Sequence, residues 1–134
     1  MTLGNNLNDT YINYAPWTNP SDRKLKKEIQ PLSYGLEFIK KLTPSSYIMK
    51  SRKDQKRDYG FIAQEVQAVL KSYNDQDSNM LTTIDQTEGT LGLKYTNLIP
   101  ILAKAIQELS EENEELKAQN KQILEHLKIL EIKK

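Results

Sequence analysis

An α+β fold is predicted for this 134-residue chain on three observations. Short apolar and polar alternations are separated by turn residues, one stretch is strongly amphipathic at helical period, and the C-terminal part carries a heptad repeat. The expected architecture is a small antiparallel sheet with two short helices, followed by a long C-terminal helix built to join parallel partners.

Residues 1–20 place Tyr11, Ile12, Tyr14 and Trp17 among Asn, Asp, Gly and Pro, a pattern of short strands or an extended arm. Pro20 then stands before SDRKLKKEIQPL, where Ser21 is expected to cap a short helix or open a turn, and Pro31 ends whatever forms. In YGLEFIKKL, Leu36, Ile39 and Leu42 fall near helical spacing with Phe38 beside them, and Thr43-Pro44 stops the helix. SSYIMK reads as a strand, the basic run at 50–57 as a solvated hairpin turn, and Asp58-Tyr59 as part of the returning strand.

GFIAQEVQAVLKSY puts Phe61, Ile62, Val66, Val69 and Leu70 on one face, with Gln64, Glu65 and Gln67 away from its centre. NDQDSN is a polar turn, MLTTID and LGLKY are strand candidates, and DQTEGT is the turn between them.

The strongest pattern begins at Ile99. Leu102, Leu109, Leu116, Ile123 and Leu130 recur every seven residues at d, and Ile99, Ile106, Asn113, Asn120 and Leu127 recur at a. Parallel partners would bury this stripe and bring Glu112 at g towards Lys117 at the following e of a neighbour. Asn at two successive a positions gives up stability for a fixed register. The alternative, a long helix lying on its own domain, leaves too little chain to cover it. Pro100 fits near the helix start, where its missing N–H is among those left unpaired.

Nineteen basic against eighteen acidic residues give a formal charge of +1, so there is no overall attraction to nucleic acid or an anionic membrane. The absence of cysteine removes disulfide, thiol and thiolate chemistry, and the single histidine, His126, cannot build a metal site alone. No metal and no cofactor are expected. The opening twenty residues lack the basic start and apolar run of a signal peptide, no run of about eighteen apolar residues occurs, and no membrane partner is expected.

Ser21 and Lys26 are the candidate nucleophile and base. A serine hydroxyl reacts when a neighbour takes its proton, and lysine does so when burial or nearby cations lower its pKa from about 10.4. Arg23, Lys24 and Lys27 are such cations. A separation of five residues is one face of neither a helix nor a strand, so the pair meets only if the backbone turns between them. The competing reading is a capped helix with solvated lysines.

SDRKLKKEI, GFIAQEV and LKYTNLIPILAKAIQEL, in that order, resemble the chaperone-of-endosialidase family of C-terminal intramolecular chaperones on phage tailspikes, tail fibres and neck appendages. The resemblance runs from about Ser21 to Leu109. It implies a Ser21–Lys26 dyad that cuts the Pro20–Ser21 bond, and a homotrimer that nucleates folding of an upstream β-helical stalk of the same polypeptide. The long helix would then be a parallel trimeric coiled coil. Asp22, Gln64 and Glu65 are possible supporting residues. The implied organisation is a stalk tail at 1–20, a globular chaperone and autoprotease at 21–96, and a trimerisation helix at 97–134. The resemblance also implies assembly in the host cytoplasm, with the released chaperone absent from the virion and the parent protein in its tail or neck.

Two other functions compete. One is a non-enzymatic trimerisation and folding module in which Ser21 only caps a helix. The other, less favoured, is a nucleic-acid-binding module using Lys50, Arg52, Lys53, Lys56 and Arg57 with Tyr47 and Tyr59.

Overall fold

A computed structural model describes residues 18–134. Packing divides the chain into two units, Met1–Pro31 and Leu32–Lys134. The arm or strands expected around Tyr11 to Trp17 lie outside the described residues. In the first unit, one 3-10 turn, Arg23–Leu25, follows Pro20.

The second unit runs α1 (Leu36–Lys41), β1 (Ser45–Ile48), β2 (Arg57–Gly60), α2 (Ala63–Ser72), β3 (Leu81–Asp85), β4 (Thr90–Leu93), a 3-10 turn at Tyr95–Asn97 and α3 (Leu98–Ile132). The α+β class stands, but the strands form two separate two-stranded sheets instead of one. Each is a hairpin of sequence neighbours, β1 with β2 (Ser45 opposite Gly60) and β3 with β4 (Leu81 opposite Leu93). Both ladders close locally, with α2 between them in the chain.

The turns explain the registers. In the β1–β2 loop, Arg52 donates through Nη1 to both carboxylate oxygens of Asp58 at 3.0 and 2.9 Å and through Nη2 to Asp54 at 2.8 Å. Arg57 Nε donates to Ser46 Oγ across the ladder at 2.7 Å. In the β3–β4 turn, Asp85 Oδ1 accepts from Thr87 N and Glu88 N, and Gly89 takes φ 66°, a left-handed conformation that costs glycine little.

Phe38 and Leu42 from α1 and its end, Val66 and Leu70 from α2, Met80, and Leu98 and Ile101 from α3 form the core. Burial of these side chains is the main favourable term, about 1.5–3 kcal/mol for each fully buried one. Beside them, Tyr34 stacks on Phe38 with ring centroids 4.8 Å apart and meets Tyr73 edge-on at 5.1 Å. Tyr34 donates its hydroxyl hydrogen bond to Asp75 at 2.7 Å, and burial, then Asp75, push its pKa up to about 12.

The long helix has two different faces. Ile101 and Ala105 are 2% and 4% exposed and are buried in the head, the packed part of the second unit before and around the start of α3, whereas Ile99 and Ile106, at heptad a, are 64% and 66% exposed. Glu108, on the head-facing side, accepts the Leu36 N–H at 2.7 Å and so caps α1, which has no side-chain cap of its own at Gly35. A Cβ at Gly35 would run into that carboxylate, so a side chain there would displace Glu108 from its cap. Among the described residues, no helix is long and apolar enough to cross a membrane.

Candidate functional site

The polar junction after Pro20 is a 3-10 turn, Arg23–Leu25, with Asp22 as its N-cap. Asp22, in an extended conformation, accepts the Lys24 N–H on Oδ1 at 3.0 Å, while its carbonyl accepts from Leu25 N at 3.0 Å. Lys26 N donates to Arg23 O at 3.1 Å and closes the turn, after which the chain is extended again at Lys26. The reversal brings the Lys26 side chain back along the segment, and its Nζ lies 2.8 Å from Ser21 Oγ. A five-residue spacing that neither helix nor strand would bring together is thus closed by one 3-10 turn.

The helix-capping role expected of Ser21 falls instead to Asp22. The reason is reach: a residue directly before the turn accepts the orphan N–H two positions on. Among the described residues, the Ser21 hydroxyl is engaged with the Lys26 amine.

In the geometry described, the lysine donates and the hydroxyl accepts. A neutral amine would reverse the roles across the same atom pair, taking the hydroxyl proton. Both residues are exposed, and the second oxygen of Asp22 lies 3.4 Å from Lys24 Nζ.

Gln64 and Glu65 belong to the second unit, exposed on the first turn of α2. Gln64 borders an apolar groove of about 390 Å³ with Tyr47, Phe61, Leu91 and Tyr95. There the Tyr95 hydroxyl accepts the Phe61 N–H at 3.0 Å, and burial, then Tyr95, raise the Tyr47 pKa. In the basic run, Arg52 and Arg57 are spent on Asp54, Asp58 and Ser46 within the hairpin. This pairing counts against a continuous cationic groove there.

Along α3 the a and d residues Leu102, Leu109, Leu116, Ile123, Leu127 and Leu130 remain exposed, as do Asn113 and Asn120. Sequence reading missed the Glu108 cap. Glu108 lies 72 residues from Leu36, so no local signal announces it.

A peptidase family model described as chaperone of endosialidase matches residues 21–75. Over that segment the chain is similar to the family. It opens at Ser21 and contains SDRKLKKEI and GFIAQEV, while the third block, LKYTNLIPILAKAIQEL, lies beyond it. Neither the curated proteins nor the solved structures provide a match.

Proposed function

We propose that this chain, with a chaperone-of-endosialidase segment at 21–75, is a C-terminal intramolecular chaperone that trimerises, nucleates folding of an upstream β-helical phage fibre, and then cuts itself free between Pro20 and Ser21. The observation that carries the reading is the 2.8 Å contact of Lys26 Nζ with Ser21 Oγ, at the residue where the family match begins.

In the proposed reaction, neutral Lys26 takes the proton from Ser21 Oγ, which attacks the carbonyl carbon of Pro20. As the C–N bond breaks, the proton passes from Lys26 to the departing nitrogen of Ser21. If Ser21 attacks its own preceding carbonyl, this is an N-to-O acyl shift; attack on a neighbouring protomer gives the same ester in trans. Water then hydrolyses the ester, leaving a Pro20 carboxylate, a Ser21 α-amine and the regenerated hydroxyl. A lysine is neutral near pH 7 only when desolvated or crowded by cations, and cover from neighbouring protomers would supply the first of these.

Support for trimerisation is the exposed a/d stripe, which runs on past the first turns of the helix, where Leu98, Ile101 and Ala105 are buried. Three such stripes would bury one another around a common axis.

The test is intact mass and N-terminal sequencing of the full chain carrying an upstream tag. Native protein should yield a new N-terminus at Ser21, Ser21→Ala should remain whole, and Lys26→Arg should cut about 100-fold more slowly or less, since arginine keeps its proton. A cut elsewhere, or undiminished cutting in Ser21→Ala, overturns the dyad. An uncut native trimer would leave the non-enzymatic folding module.

A further inference from the structure

We propose that Asp22 is the positioning residue of the Ser21–Lys26 pair. The inference rests on the self-cleavage reading and adds to it the residue that assembles the dyad.

Ser21 and Lys26 approach only because the chain reverses over Arg23–Leu25, and a lone 3-10 turn has little intrinsic stability. Among the described residues, its side-chain support apart from the Ser21–Lys26 contact itself is Asp22, whose Oδ1 accepts from Lys24 N at 3.0 Å. Nothing in this turn is buried, so packing does not hold it. The cap is therefore a large share of what favours the reversed chain over an extended one.

The second Asp22 oxygen has a separate consequence. It lies 3.4 Å from Lys24 Nζ, so the carboxylate is turned towards Lys24 through both oxygens while Lys26 meets the Ser21 hydroxyl. A carboxylate paired with Lys26 would hold its proton and oppose its use as a base. Asp22 thus shapes the turn while its second oxygen stays with Lys24, clear of Lys26 and of the reacting atoms.

The test uses the full chain with Asp22→Ala, Asp22→Asn and Asp22→Ser, and Ser21→Ala as the uncut control. Asn and Ser are good N-caps and retain the acceptor, whereas Ala does not. Two readouts are taken: the rate of cleavage at Pro20–Ser21, and the nuclear Overhauser contact between the Lys26 ε-methylene and Ser21 β-methylene protons. Asp22→Ala should cut about 5- to 30-fold more slowly, the population factor that corresponds to losing a good cap, and should lose the contact. Asp22→Asn and Asp22→Ser should retain both. Unchanged rate and contact in Asp22→Ala overturn the proposal, and so does Asp22→Asn failing as badly as Asp22→Ala, since the charge and not the cap would then matter. If the native chain does not cut at all, the dyad reading fails, and the proton contact alone still decides whether Asp22 brings the pair together.

Discussion

Asp22 and Glu108 do the same job over very different distances: one carboxylate accepts a backbone N–H two residues on, the other caps α1 from 72 residues away. The two N–H groups satisfied are ones that a helix start leaves orphaned. For Glu108, the Leu36 N–H and then Lys104 hold the carboxyl below its ordinary value. A depressed folded pKa contributes stability that is present above the unfolded value of about 4.3 and is lost as pH falls through the folded one. Urea midpoints of the native protein should therefore fall below about pH 4.3, and those of Glu108→Gln should fall less across the same window. Equal acid dependence in both would remove Glu108 from the account. Gly35→Ala should act on the same contact by displacing the carboxylate, weakening the α1–α3 junction at any pH.

At the scale of elements, α3 separates two tasks by angle around its axis. Leu98, Ile101 and Ala105 are buried in the head, and the heptad a and d residues remain exposed. Mutations on the two faces should accordingly have separable effects. Ile101→Ala removes a buried side chain from the head and should cost about 2–5 kcal/mol in protomer stability, read by denaturant unfolding. Leu116→Ser should leave head unfolding unchanged while weakening the proposed trimer, read by sedimentation equilibrium. Replacing Asn113 and Asn120 together by Leu should raise the melting midpoint of the assembly and loosen its register or stoichiometry, because buried amides trade stability for specificity at a. A melting midpoint that falls in the double variant would mean that these amides are not in a buried seam.

For the whole molecule, the proposed chaperone addresses a kinetic difficulty. Three long chains must meet in register before a β-helical stalk forms, and such non-local pairing is slow and open to aggregation. A C-terminal assembly raises the effective concentration of the chain ends and aligns them. Cutting afterwards removes the template, so the stalk's persistence is set by its unfolding rate. A parent fibre lacking residues 21–134 should then be insoluble, while Ser21→Ala should give a soluble fibre that refolds after denaturation. The cut fibre should unfold more slowly and fail to refold once melted. A parent truncated at Pro20 that assembles normally from separate chains overturns the chaperone role.

Much of this protein is local and was therefore legible in its residues. The period of Leu36–Leu42, the amphipathic face around Val66 and Leu70, the hairpin alternations and the unbroken helix from Leu98 all depend on neighbours within a few positions, where side-chain period dictates which face is apolar. The Ser21–Lys26 pairing was legible only as a resemblance, since five residues of spacing mean nothing until the turn between them is known. What tertiary structure decided are contacts between distant segments. The strands split into two hairpins, the head took the Ile101 and Ala105 side of α3 and left the heptad stripe open, and Glu108 reached Leu36. The hairpins themselves close locally, but the lack of pairing between them, the side of α3 that is covered and the Glu108 cap depend on where packing brings elements that the chain itself keeps far apart.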